Sequence, residues 1–566
     1  MVLQQFGSYL FYNCGNLTNV NNVAIFNVHP YIHMFENCVN LKHLNISLHS
    51  NTAASAAAMF ENCVNLEYIS DLDILVSVVN SATGAMFGNC TSLTKAPNFI
   101  IGASSLTNMF YNCTSLIEVP NYDTSNVTNM KRLFNQCTNL TNVPNFNTSN
   151  VTDMQDMFWG CSSLKTIPDF DMSNVTNMRY MFEDCTSLEE VPNIDYHLIY
   201  ENSSAGLFMF SNCINLKNTG NINFENLSNY EGLFAGCNIE LLKQINLPIT
   251  TKPNSFFAYQ ENIDINDFYE SLDLENRIEY KGLFQLYRGD HITNIDNLNL
   301  KKAINIDYMF ASCINLTSVP NFDISNVTNM SHVFYNDKNL ISIPNFNTIM
   351  VTDMSSIVAS CTNLTSIPDF DTNNVISMSS MFSSCTNLTS VPNFNTSNVT
   401  NMYWMFTSCT SLTSVPEFNT INVINSSYMF YNCINLVNIP DLDIANVNYS
   451  HCMFGNCKSL IKAPNLITNN TNTFGWMFSN CYNLVDVPYY NSSNVTFMNG
   501  MFYNCNKLTN ASIQNIINMV LNSNVTNTTM KNLRNTNSYS PFYNTNIANS
   551  RYSNRFTELK NKGWSY

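Results

Sequence analysis

The sequence is short of charge. Only 11% of its 566 residues are Asp, Glu, Lys or Arg, and the balance is −16. Nucleic acid demands a basic surface, so this balance argues against nucleic-acid binding. Histidine is scarce, with eight thinly spread residues. His29 and His33 are four apart, but Pro30 lies between them. His451, Cys452 and Cys457 form a second loose group, and neither is expected to hold a metal. Long apolar runs are missing. The longest, around residues 72–79, is too short to cross a bilayer, and no membrane insertion is expected. The opening MVLQQFGSYLFYNC has no basic n-region, so no signal peptide is expected. G-x-G-x-x-G, G-x4-G-K-[ST], H-E-x-x-H and G-x-S-x-G are all absent. No cofactor and no catalytic residue are expected.

What is there is repetition. Phe-x-x-Cys-x-x-Leu recurs in steps of mostly 24 residues, with Phe at positions from 11 to 234 and from 310 to 502. Val358 replaces the Phe once, and Cys361 and Leu364 still follow. Between 234 and 310 the pattern fades. Phe257 and Phe284 sit near the expected places, but Gln260 and Tyr287 take the Cys positions. The reading is about 21 copies over residues 1–510, with degenerate coils at about 238–300.

One copy shows the internal logic. From Leu388 the apolar positions are Val391, Phe394, Val399, Met402, Met405, Phe406 and Cys409. Steps of three match neither an amphipathic helix nor an alternating strand. They suit a coil of short legs and turns. Asn-Thr-Ser-Asn at 395–398 is a turn cluster. Pro392 cannot donate to a ladder and belongs at a strand end. Thirteen of the 17 prolines occupy this slot, so the short strand is expected at the Leu-Thr-Ser-Val before it. One coil cannot bury its own apolar residues, whereas stacked coils can, so the fold class is a solenoid.

Eighteen of the 19 cysteines occupy the repeat slot, Cys452 being the exception. Zinc sites would show close pairs such as C-x2-C, and there are none. Even spacing points to a buried packing slot and a ladder of thiols. Cross-linking of adjacent thiols is the alternative. Residues 511–566 lose the slot and gain Lys531, Arg534, Arg551, Arg555, Lys560 and Lys562. ASIQNIINMVLNS reads as a helix, and Trp564 is expected to pack on the last coil. A C-terminal cap is the expectation for this tail, with a basic docking patch as the alternative.

The copies M-F-x-x-C-T-x-L-T-x-V-P-x-F-[DN]-T-S-N-V-T-N-M resemble the BspA-like leucine-rich repeat surface proteins. More closely, they resemble the Mycoplasma-lipoprotein-type repeat within that group. Residues 123–144 and 395–416 carry the whole pattern. The resemblance implies a leucine-rich-repeat-like array with short parallel strands and little helix except near the C-terminus. It also implies surface display, extracellular or on a cell, and adhesion to a protein or glycan. The missing signal peptide and anchor depart from the family, which leaves a virion or phage tail-fibre component as the alternative. The bare first coil calls for a neighbouring subunit, domain or upstream segment to cover it.

The family implies binding on the strand face. The second residue between Leu and Val is the candidate there: Lys95, Glu118, Asn142, Thr166 and Glu190, then Ser318, Ser342, Ser366, Ser390 and Ser414. A second row lies just before Met-Phe, with Tyr180, Tyr308, Tyr403, Trp404, Tyr428 and Trp476. Tyr and Trp pair a large apolar body with a polar tip. Asparagine is abundant, and the surface it implies suits hydrogen-bonded contacts with proteins or sugars; codon bias is the bland alternative. The Asn-x-Ser/Thr triplets belong to the repeat and do not by themselves signal glycosylation. Arg288-Gly289-Asp290 is a weak adhesive match. A hydrolase-type site in the degenerate coils would need Asp264, Asp267, Glu270 and Glu275 to find a partner.

Overall fold

Each coil turns twice around its Met-Phe pair. In the copy at Phe110, Met109 N–H donates to the Leu106 carbonyl and Cys113 N–H to the Phe110 carbonyl, both at 3.1 Å. The third residue of each turn is left-handed, with φ of 57° at both Asn108 and Asn112. Such a turn favours Gly or Asn there. The same two positions, two before and two after the Phe, have positive φ in every described copy except at Ala85. The degenerate copies keep both turns, at Ser255 and Tyr259 and at Gly282 and Leu286.

This is a computed structural model. It describes residues 7–26, 30–49, 54–72, 75–78, 80–81, 84–192, 206–220, 231–245, 255–260, 263–268, 272–289, 295–525, 541, 545, 557–559 and 561–562. The chain divides into two compact units. Unit 1 is Met1–Gln260 with Glu270–Leu272, and unit 2 is Glu261–Tyr269 with Asp273–Tyr566.

In unit 1 the phenylalanines from Phe11 to Phe234 stack ring on ring. Centroids are 4.9 Å apart at Phe11–Phe35 and 5.8 Å at Phe134–Phe158. The backbone follows in parallel, with Phe110 N–H on the Leu133 carbonyl at 3.0 Å and Phe134 N–H on Met157 at 2.9 Å. The longest strands are β1 (Asn19–Phe26) and β2 (His43–His49), which pair in parallel. Their coils have no proline after the Leu-x-x-[Val/Leu] leg, so the ladder runs on. β3 (Ala54–Ser55), β4 (Tyr68–Ile69), β5 (Leu75–Val78) and β8 (Ile100–Ile101) extend two parallel sheets, β1-β2-β4 and β3-β5-β8. β6 (Asn80–Ser81) and β7 (Gly84–Ala85) form an antiparallel pair. A single helical turn, α1, spans Ile239–Leu242.

Unit 2 repeats the stack from Phe284 to Phe334 and from Phe382 to Phe502, with fully buried Val358 in the slot between. Its strands β9 (Leu442–Asp443) and β10 (Leu466–Ile467) pair in parallel. The expected C-terminal helix is present as α2, Asn510–Asn522, capped by the Thr509 side chain on Ser512 N–H. It buries Ile513, Ile516, Ile517, Met519 and Val520. Ser512 Oγ donates to the Val485 carbonyl at 3.0 Å and accepts Val487 N–H at 2.8 Å, so the helix satisfies the backbone of the coil before it.

The strand expected at Leu-Thr-Ser-Val is only part of the pairing. Bridges form there at Lys95↔Glu118, Glu190↔Asn218, Ser414↔Asn438 and Lys462↔Asp486. Longer bridge rows run through the residue after Val-Thr, along Ser105, Asn129, Asp153 and Asn177 in unit 1 and from Glu279 to Tyr449 in unit 2. Proline cuts the first leg short, and no proline follows on the second.

Candidate functional site

The cysteine slot is a hydrogen-bonded ladder. From Cys38 onward each slot thiol donates to the carbonyl at the Phe position of the preceding coil, as from Cys113 to Phe87 and from Cys409 to Phe382, both at 3.0 Å, and from Cys385 to Val358 at 3.1 Å. All 19 cysteines are free. Burial pushes the Cys113 and Cys385 thiols up to about 12. A thiolate is the nucleophile and the metal ligand, so these groups are held out of both roles. Among the described residues no group of three or more His, Cys, Asp or Glu is placed to hold a metal ion. The copy at Phe334 departs from the ladder, with Asp337 in the slot and fully buried.

Asparagine does axial work. Asn62, Asn89 and Asn112 each pass an amide hydrogen to the asparagine oxygen of the coil before, at 2.9 Å. Asn150, Asn174 and Asn398 donate to the Ser125, Ser149 and Asn373 carbonyls at 2.6–2.8 Å. Asn65, Asn215 and Asn435 do the same from a third slot, each at 2.8 Å. The Asn-x-Thr triplets at 150, 174 and 398 thus commit to the ladder the nitrogen that a glycan would need.

The strand-face candidates are all exposed. In unit 1, Lys95 and Glu118 pair in register, and their charged ends meet at 3.2 Å. Asn142, Thr166 and Glu190 take the same slot in the next three copies. In unit 2, Ser318, Ser342, Ser366, Ser390 and Ser414 hold it in consecutive coils, with exposed Thr365, Thr389 and Thr413 beside three of them.

The edge row before Met-Phe is the second candidate. Tyr403 is half-buried, and Trp404 is 40% exposed. Neighbours along this row touch: Tyr180 stacks on Phe208 at 5.7 Å, and Tyr308 on His332 at 4.2 Å. Asp307 beside them accepts from Ser331 Oγ at 2.8 Å and pairs with Lys281 Nζ at 3.0 Å. Two residues outside the expected rows join Tyr428, namely Tyr431 at 5.6 Å and His451 at 5.5 Å. Unit 1 carries an acidic group of its own near the Phe158 and Phe182 turns. Arg132 binds Asp156 at 2.9 Å, and Trp159 Nε1 donates to Asp184 at 3.1 Å. Burial, with Asp184 and Asp156 close by, pushes Glu183 up to about 7.

Asp264 and Asp267 lie at a 3-10 turn, Ile265–Phe268, where Asp264 accepts the Asn266 N–H at 3.0 Å. Glu275 is exposed, and Glu270 lies outside the described residues. His29, Asp290, Trp564, Lys531, Arg534, Arg551, Arg555 and Lys560 also lie outside them. Among the described residues no helix is long and apolar enough to cross a membrane.

A family model described as Mycoplasma protein of unknown function, DUF285, matches residues 104–219, 142–252, 304–408, 352–466 and 435–549. A second, described as BspA type leucine rich repeat region, matches residues 2–94. No curated protein matches the chain. Among solved structures it is similar to a leucine-rich repeat protein from Bacteroides ovatus, at 14% identity and TM-score 0.27 over 71% of this chain and 80% of that one. A leucine rich cell surface protein from Faecalibacterium prausnitzii matches at 18% identity and TM-score 0.29, over 66% and 82%. A Leptospira interrogans leucine-rich repeat protein matches at 9% identity and TM-score 0.20, over 90% of each chain.

Proposed function

The chain belongs to the Mycoplasma protein family DUF285, with a BspA type leucine-rich repeat region at residues 2–94, and from that premise we propose a non-catalytic recognition protein. It binds a protein or glycan at a cell surface through exposed side chains of its coils, and it works outside the cell or on its surface.

One observation carries this reading: a nearly constant backbone presents variable side chains at a strained position. In unit 2 the edge row reads Tyr308, His332, Ser356, Ser380, Trp404, Tyr428, Cys452 and Trp476, with φ between 52° and 58° throughout. A left-handed conformation costs a side-chain-bearing residue about 1–2 kcal/mol. Glycine avoids that cost, and Gly232, Gly282 and Gly500 take the same slot in other copies. Strain kept at bulky residues clusters where function needs it. On the strand face, Lys95, Glu118, Asn142, Thr166 and Glu190 vary over an unchanged leg in the same way.

The test is saturable binding of the purified full chain to cultured epithelial cells and to bacterial cells. Two variants accompany it, Ser366→Glu with Ser390→Glu on the strand face and Trp404→Ala on the edge. The reading expects binding that at least one variant weakens while melting stays unchanged. Binding that never saturates, or that both variants keep in full, refutes it.

A further inference from the structure

The edge row of unit 2 builds a corner of aromatic rings. Tyr403 and Trp404 stack, with centroids 5.1 Å apart and 17° between their planes. Tyr428 stands across both, 6.3 Å from Tyr403 at 87° and 5.9 Å from Trp404 at 85°. Tyr431 and His451 pack edge-on against Tyr428. The backbone under the corner is held from coil to coil. Trp404 N–H donates to the Ser427 carbonyl at 3.1 Å, and Tyr428 N–H to His451 at 2.8 Å. Ser379 Oγ bonds the Tyr403 carbonyl at 3.2 Å, and Thr407 Oγ1 the Tyr428 carbonyl at 2.6 Å. The rings are therefore presented by a fixed frame.

The second observation is independent and concerns charge. Between Lys338 and Lys458 the chain has no lysine or arginine. From Thr372 to Pro440 its one acidic residue is Glu417, which lies on another leg of the coil. Half-buried hydroxyls of Ser379, Ser380, Ser383 and Thr407 accompany the rings in these coils, whereas Ser426 and Ser427 are buried. An acidic ligand would find no cation here. A quaternary ammonium, which aromatic cages also bind, would find no carboxylate in these rows.

We propose that the corner of Tyr403, Trp404 and Tyr428 binds a neutral sugar. The C–H face of a pyranose stacks on the Trp404 wall, and its hydroxyls meet the phenol groups and serines at the rim. Ring face and polar tip together match a molecule that is apolar on one face and hydroxylated at its edge. The inference rests on the recognition reading above and names its ligand class.

The probes are immobilised neutral oligosaccharides of glucose, galactose, mannose and N-acetylglucosamine, their sialylated and sulfated counterparts, and phosphocholine. The full chain is expected to bind a neutral member. Trp404→Ala and Tyr428→Ala should each weaken that binding about tenfold or more, Trp404→Phe should retain most of it, and Trp159→Ala should leave it unchanged. In wild-type protein, saturation transfer from aromatic protons should reach the sugar C–H protons, which tests the stacking even where a variant misfolds. Binding of only the acidic glycans or phosphocholine overturns the inference, as does neutral binding that survives Trp404→Ala. If cells are bound saturably but no neutral sugar is, the ligand class alone is wrong. If neither is bound, the recognition reading falls with it.

Discussion

Replacing Asp337 with cysteine is expected to stabilise unit 2 at neutral pH. At this slot the thiols on either side give their hydrogens to the phenylalanine carbonyl of the coil before, at 3.0 Å from Cys313 to Phe284 and 2.9 Å from Cys361 to Phe334. Asp337 interrupts that run. Its Oδ1 takes the Cys313 N–H at 2.7 Å, and its buried Oδ2 has no hydrogen-bond partner. Burial pushes the carboxyl well above its ordinary range. The folded chain then holds a proton that an unfolded aspartate releases near pH 3.9. The contribution of this group is fully present below about pH 4. It is lost as pH rises from there through the folded-state pKa, at up to about 1.4 kcal/mol per pH unit. Cysteine does not titrate in that window. An orphaned buried polar atom costs about 1–3 kcal/mol at either pH, and the titration adds to that as pH rises, so Asp337→Cys should gain at least that much at pH 7 and less near pH 4. Stability in a stack is a sum over coils and their neighbours, and one global midpoint dilutes a local change. Hydrogen exchange of amides in residues 310–361 is therefore the assay. No gain at pH 7, or an equal gain at both pH values, would refute the reasoning.

Thiol titration of the native chain should find one fast-reacting group, Cys14, and release the other eighteen only in denaturant, because Cys14 is exposed and the rest are buried. Several fast native thiols would mean that the ladder is open. Phe406→Ala removes a ring stacked 5.2 Å from Phe382 and 5.4 Å from Phe430. It should cost unit 2 about 3–5 kcal/mol in chemical unfolding, and a loss below about 1 kcal/mol would contradict the stack. Glu183 is pushed up to about 7 by burial near Asp184 and Asp156. Unfolded glutamate titrates near 4.3, so unit 1 loses stability as pH climbs from about 4 through about 7. Glu183→Gln should raise the melting temperature of unit 1 near pH 8 and leave it unchanged near pH 4, and a pH-independent effect would count against this origin.

The buried half of the coil was legible because packing asks the same volume of every copy. Phe406 and Cys409 recur at one spacing, and both turn out to stack. The helix at Asn510–Asn522 was legible from its apolar face and the loss of the cysteine slot. The turns were not. Their left-handed third residue is Asn at 112, Ser at 384, Asp at 184 and Trp at 404, so residue type carries little of the signal. The bridge row through Asn129 and Asp153 was hidden because one paired residue per coil leaves no alternation to read. Asp337 was in plain view as a broken cysteine slot after Phe334, and only a copy-by-copy check of that slot finds it. Tyr431 and His451 reach Tyr428 from other slots of their copies, so reading down one slot passes them by.

The asparagine surplus bears on both halves of the molecule. Read as composition, it suggested a neutral contact surface. In the fold, much of it is tied along the axis, as Asn62 to Asn37 and Asn174 to Ser149 show. A side chain whose amide satisfies the neighbouring coil is poorly placed to change identity or to greet a ligand. That leaves the strand row from Lys95 to Glu190 and the edge row through Trp404 as positions that vary while the coil stays the same. A low-charge surface therefore need not be a featureless one. With many asparagines committed to holding coils together, the recognition proposed above falls to the few exposed side chains that depart from the repeat. The largest such departure sits where the chain has shed its cations, between Lys338 and Lys458.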